Sequence, residues 1–160
     1  MSTKLYFLRH GVAFERDEWT GDNDVLRPLT DDGITTMQHE AKFLKQMKLK
    51  LDIVITSPLV RAQETAKLVT DILSVKLDES SLLKPGFDGT ALKTLLKQYA
   101  DSKSIMIVGH EPDFSRVISK VIGGGSVEMS KGGLARVDLN KSDPPHGDLV
   151  WLLTPPLLGS

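Results

Sequence analysis

Three short groups of residues carry the side chains able to do chemistry: Arg9-His10-Gly11, Arg61 within Ser57-Pro58-Leu59-Val60-Arg61, and His110 within Gly109-His110-Glu111. Arginine presents a fixed fork of donors suited to phosphate or carboxylate. Histidine is a nitrogen nucleophile or proton carrier near neutral pH, and Gly11 lets the backbone turn sharply and approach a ligand. Two arginines with two histidines suit a dianionic phosphoryl group. The cations hold its equatorial oxygens, one neutral imidazole attacks phosphorus, and the other hydrogen-bonds the developing charge. Other chemistries fit less well. The chain has no cysteine, which excludes thiol catalysis, disulfides and thiolate metal sites. Two histidines fall short of the three protein ligands of a catalytic zinc, and flanking arginines repel a cation. We therefore expect neither metal nor cofactor.

Each group follows a hydrophobic run. Residues 5–8, 51–55 and 104–108 read as buried strands, and each ends in a polar motif that opens a helix. In a mainly parallel α/β sheet such ends meet on one edge, where ligands bind. Thr30 is a fitting N-cap for a helix to about residue 48, with Asp31 and Asp32 at its positive end. Ile34, Met37, Ala41, Leu44 and Met47 form its apolar stripe, leaving His39 on the solvent side. Ser57 and Pro58 suit the cap and first position of a helix over 59–73. Arg61 then falls in its first turn, a poor place for a cation unless an anion binds there. Short strands are expected around 75–77 and 81–83, and helices over 90–100 and from Pro112 to about 122. Gly123-Gly124-Gly125 reads as a helix stop. A closing hairpin pairs 134–139 with 149–153, with His146 solvated in its turn. Regular structure ends at Thr154-Pro155-Pro156.

The 160 residues suit one domain, 1–160. A formal charge of −1 gives no global field toward nucleic acid or a membrane surface. The four apolar residues after Met1-Ser2-Thr3-Lys4 are too few for a signal segment, and no run is long enough to span a bilayer. The expected location is cytoplasmic. The polar loop 11–29 is unusually long for a structureless connection and is expected to line the site. Its Asp22-Asn23-Asp24 lacks the glycine and distal glutamate of a calcium loop.

Leu8-Arg9-His10-Gly11, the run from Ser57 through Arg61-Ala62-Gln63-Glu64-Thr65-Ala66, and Val108-Gly109-His110-Glu111-Pro112 together resemble the histidine phosphatase (phosphoglycerate mutase-like) superfamily. The short chain and Arg27-Pro28-Leu29-Thr30 with Gly33 resemble its SixA-type phosphohistidine phosphatases. The resemblance implies a three-layer αβα fold and a phosphohistidine intermediate on His10. It also implies a phosphate pocket completed by Arg9, Arg61 and His110, with no metal. Gly11 and Arg27 are further candidates for contact with substrate.

Two departures bear on the substrate. Where many superfamily members carry Ser or Thr and then Asn after the Arg-His-Gly motif, this chain has Ala13 and Arg16. Leu83-Lys84-Pro85 stands where a catalytic acid is expected, which leaves Asp24, Glu111 and Asp88 as candidate proton donors. Asp24 and Glu111 serve equally well as capping or solvated groups. An alkoxide leaving group gains roughly 10²–10⁴-fold from a general acid, whereas imidazole, with a pKa of about 6.5, departs easily. A phosphorylated histidine on a phosphotransfer domain or carrier protein is the expected substrate. A small phosphate ester, or a non-catalytic phosphohistidine-binding role, stays open as an alternative.

Overall fold

The computed structural model describes residues 2–158. The central strands are apolar on both faces, and such strands need helices on both sides. Six strands form one sheet: β1 (Thr3–Arg9), β2 (Ile53–Thr56), β3 (Leu77–Glu79), β4 (Ser104–Gly109), β5 (Leu134–Ser142) and β6 (Pro145–Leu153). Their spatial order is β3-β2-β4-β1-β5-β6. The first four run parallel, while β5 and β6 pair antiparallel, so the sheet is mixed.

Four helices cover it: α1 (Asp31–Gln46), α2 (Val60–Leu73), α3 (Gly89–Gln98) and α4 (Asp113–Val121). The period of two along a strand sends alternate residues to opposite faces. Tyr6, Leu8, Val54, Met106 and Val108 pack with Met37, Ala41 and Leu44 of α1 and Ala62, Ala66 and Val69 of α2. Leu5, Phe7, Ile55 and Ile107 face the other way, against Leu92 and Leu95 of α3 and Phe114 and Ile118 of α4. Phe7 meets Phe114 edge to face, ring centroids 5.2 Å apart. The result is a three-layer αβα sandwich of phosphoglycerate mutase-like form. Among the described residues no helix is long and apolar enough to cross a membrane.

Several local expectations change. Residues 81–83 form a 3-10 turn, because the Ser80 hydroxyl accepts from Leu82 N–H, and the strand before it shifts to Leu77–Glu79. Ser57 is not the cap of α2, which starts at Val60 with Leu59 as N-cap. Pro112 is the N-cap of α4. The closing hairpin is longer than its hydrophobic alternation suggests, so His146 lies on β6 opposite Lys141, and a further 3-10 turn runs over Pro155–Leu158. Met47 lies beyond α1 and is exposed.

Loop 11–29 is partly organised. Ala13 bridges Leu29, and Thr30 N–H donates to Val12 O at 3.0 Å. Asn23 caps a 3-10 turn at Asp24–Leu26. Thr30 does cap α1, accepting from Gly33 N–H at 3.0 Å.

One buried acid stands apart from the ionic groups. Glu40 of α1 is 1% exposed, neither of its carboxyl oxygens has a hydrogen-bond partner among the described residues, and burial pushes its pKa up to about 8. It is therefore protonated in the fold at neutral pH. A group whose folded pKa lies above its unfolded value contributes stability below the unfolded value and loses it as pH rises through the folded one. We expect Glu40→Gln to remove most of the decline in stability between pH 5 and pH 8. The gain at pH 8 should be on the order of a few kcal/mol, read from urea unfolding midpoints at both pH values. An unchanged pH slope would show that the acid is ionised and compensated.

Candidate active site

The site exists because β2, β4 and β1 are adjacent in the sheet and end together. Arg9 pairs with Gly109 across the β1–β4 ladder. His10 N–H extends that ladder to Gly109 O at 3.1 Å, and Ser57 N–H does the same to Val108 O at 3.0 Å. The residues after these strands, His10, His110 and Ser57, are thereby delivered side by side. The His10 and His110 rings lie 5.4 Å apart between centroids, and both are almost fully buried.

His10 has a defined orientation. Its Nδ1 lies 2.8 Å from Gly11 O. A carbonyl only accepts, so Nδ1 carries the proton and Nε2 holds the free lone pair. Burial, opposed by that hydrogen bond and reinforced by His110, Arg61 and Arg9, pushes its pKa down to about 3. Gly11 is required beneath it, because a Cβ there would stand 2.7 Å from Met37 Cγ.

His110 bonds the Ser57 hydroxyl through Nε2 at 2.8 Å, and Ser57 Oγ also accepts from Leu59 N–H at 3.3 Å. A serine that accepts there and donates to Nε2 leaves the proton of neutral His110 on Nδ1. That nitrogen has no partner among the described residues. Burial, then Arg61, pushes the His110 pKa down to about 4.

Both arginines belong to the same field, since each lowers the pKa of both histidines. Arg9 donates through Nη1 to Met129 O at 2.9 Å. Arg61, 5% exposed, donates through Nη1 to the Asp24 carbonyl at 3.0 Å and lies 3.3 Å from Asp24 Oδ2 through Nη2. The Nε groups of both arginines are buried without a partner among the described residues. Two cations and the imidazole of His110 thus share one field with the ring of His10, an arrangement able to hold an anion beside a nucleophile.

The other sequence candidates border this cluster in other roles. Arg27 braces the loop: its Nε donates to Asp24 Oδ1 at 2.9 Å and its Nη1 to Phe14 O. The hydrogen bond from Arg27 holds the Asp24 carboxyl below its usual range, with Arg61, Arg27 and Arg16 adding to it. Asp24 is an anion there, not a poised acid. Glu111 accepts from Ser115 N–H at 2.8 Å and from its hydroxyl, which makes it a cap for the start of α4. Asp88 caps α3, accepting from Ala91 N–H at 2.9 Å.

Supporting residues went unread in the sequence. Thr65 Oγ1 accepts from Gly11 N–H at 3.0 Å and donates to Arg61 O at 2.8 Å, which joins α2 to the His10 loop. Its spacing of four from Arg61 on a helix was the available signal. Loop 129–133 closes the other side: Gly132 N–H donates to His10 O at 3.0 Å and Arg9 N–H to Gly133 O at 3.0 Å. No spacing in the sequence marks that approach.

The chain is similar to several known proteins. The Histidine phosphatase superfamily (branch 1) matches residues 5–84. An uncharacterised protein of Picosynechococcus sp. is 34% identical over 116 residues, covering 69% of this chain and 67% of that protein. Phosphohistidine phosphatase SixA of Escherichia coli is 26% identical over 157 residues, covering 95% and 94%. The solved structure of the protein histidine phosphatase SixA with tungstate superposes at a TM-score of 0.85 and 24% identity, over 98% of this chain and 99% of that one. This last likeness speaks to the fold.

The depressed histidine pKa values fix a pH dependence. An unfolded histidine protonates near pH 6.5, whereas His10 and His110 resist it down to about 3 and about 4. Between those limits the unfolded chain binds more protons, so their contribution is full above about 6.5 and is lost as pH falls toward 4. In an NMR titration both rings should keep neutral imidazole shifts from pH 8 to pH 5. A midpoint near 6.5 for either would contradict the buried, cation-flanked site.

Proposed function

The chain belongs to the histidine phosphatase superfamily, and from that premise we propose that it removes the phosphoryl group from a phosphorylated histidine of another protein. The observation that carries this reading is the His10 ring, its Nδ1–H held on Gly11 O so that Nε2 keeps the lone pair, in the field of the two arginines. Residues 1–160 act as one catalytic domain.

In the first step Nε2 of His10 attacks phosphorus in line while Arg9 and Arg61 hold the equatorial oxygens and His110 Nδ1–H donates to the developing charge. The P–N bond to the substrate imidazole breaks, and the departing nitrogen takes a proton from solvent. Water then attacks phospho-His10, inorganic phosphate leaves, and His10 returns neutral. The low His10 pKa supports the role, because the lone pair is available across the neutral range.

The leaving group follows from the absence of a poised acid among the candidates. Asp24 is ion-paired and Glu111 is engaged with Ser115. Imidazole departs without a strong acid, whereas an alkoxide forfeits roughly 10²–10⁴-fold. The phosphohistidine activity in the name of the Escherichia coli relative supports the same choice.

His10→Ala should abolish phosphate release from a phosphohistidine protein and remove the acid-labile, base-stable label that the wild-type enzyme acquires from it. Near-normal turnover in that variant would sink the mechanism. Arg61→Ala should lower kcat by roughly 10²–10³-fold, as for loss of other transition-state charge donors. A change confined to KM would make it a binding residue only. Faster turnover of a phosphoserine peptide or a sugar phosphate than of the phosphohistidine protein would overturn the substrate class.

A further inference from the structure

The contact between Asp24 and Arg61 has no place in the chemistry above, yet it occupies the centre of the site's charge. Asp24 Oδ2 stands 3.3 Å from Arg61 Nη2, and the Asp24 carbonyl takes Nη1 at 3.0 Å. The other carboxylate oxygen is held by Arg27 Nε at 2.9 Å and Arg16 Nε at 3.4 Å. A carboxylate and a phosphoryl group offer a guanidinium the same thing, paired anionic oxygens at charge-assisted hydrogen-bonding distance. The Asp24 charge is also felt at His110, which places it within the field an arriving phosphoryl group meets.

We propose that Asp24 is a specificity-determining residue, an internal anion that competes with any phosphoryl group for Arg61. The inference rests on the reading of a phosphohistidine protein as substrate. Competition weakens the binding of every phosphoryl compound, so discrimination requires that one class of substrate offset it. The turn that carries Asp24 supplies the means. Val25 and Leu26 beside it are 43% and 54% exposed, and Phe14, whose carbonyl accepts from Arg27, is 36% exposed. With Val12 these are four of the eight large hydrophobic side chains that the described residues leave exposed, and all lie between the His10 loop and Arg27.

A protein whose phosphohistidine is flanked by apolar side chains covers this patch as its phosphoryl group enters. The apolar burial then offsets the loss of the Asp24 contact. A free phosphate ester reaches Arg61 without that contribution. The three-residue turn of Asp24 itself carries Val25 and Leu26, and that juxtaposition is what selects this occupant.

The test separates the two halves of the idea. Binding of inorganic phosphate is measured by calorimetry at fixed ionic strength for wild type, Asp24→Asn and Glu15→Gln. The last removes a carboxylate of the same loop that pairs with Lys131 at 3.3 Å. Asp24→Asn should tighten phosphate binding by about fivefold or more, and Glu15→Gln by much less. Unchanged or weaker binding in Asp24→Asn would make the carboxylate a mere support for Arg61. Equal tightening in both would reduce it to bulk charge, and either result overturns the proposal. The double variant Val25→Ser, Leu26→Ser should lower the ratio of kcat/KM on a phosphohistidine protein to that on free phosphohistidine. An unchanged ratio removes the patch from recognition. Failure of the underlying substrate reading shows separately, as a wild-type preference for a sugar phosphate, while the phosphate affinities still judge Asp24.

Discussion

Everything at the candidate site follows from holding two guanidinium groups against two imidazoles at a buried sheet edge. Removing a cation from water costs several kcal/mol unless hydrogen bonds and counter-charges replace its hydration. The fold compensates each arginine differently. Arg9 is paired with a backbone carbonyl of loop 129–133 and lies in the field of Glu111. Arg61 takes both the carbonyl and the carboxylate of Asp24. Burial keeps the imidazoles neutral, and the field of the arginines reinforces it. A neutral imidazole beside fixed cations is also what a nucleophile for phosphorus requires, so the electrostatic penalty and the chemistry share one cause.

The sheet makes this geometry rigid. His10 and Ser57 each extend a parallel ladder by one hydrogen bond beyond the last strand residue. Their positions are therefore set by the core on both faces of β1, β4 and β2 and not by loop conformation. Loop 129–133 holds the backbone of Arg9 and His10 from the β5 side, and Thr65 holds Gly11 from α2. Precision at His10 thus comes from elements distant in the chain that converge on three consecutive residues.

That convergence also decides what was legible in the sequence. Strand runs ending in Arg9-His10, Ser57 and Gly109-His110 are local patterns, and adjacency of parallel strand ends is a topological rule, so the cluster of histidines and arginines could be read directly. In the sequence Ser57 reads as a polar residue that caps the following helix. Its hydroxyl sits outside α2 and bonds His110 instead, a pairing 53 residues apart that no spacing encodes. The short segment 81–83 has too few residues to distinguish a strand from a 3-10 turn, and the Ser80 cap decides it. Prolines 144 and 145 read as breakers that put His146 in a turn, yet an edge strand tolerates Pro145 at its first position.

Asp24 shows most plainly how position overrides residue type. In the sequence it is one of several acidic residues in a polar loop and a candidate proton donor. In the fold three arginines surround its carboxylate, and a carboxylate so placed is held ionised, which is the opposite of what a general acid needs. The same contacts that remove it from proton transfer put it in competition for Arg61. Lack of an acid narrows the leaving groups by their basicity, while an internal anion narrows substrates by the contacts they bring with the phosphoryl group. Under the proposed function the two filters act on different parts of the substrate, its reacting nitrogen and its flanking surface, and together they would favour a phosphorylated histidine presented by a protein.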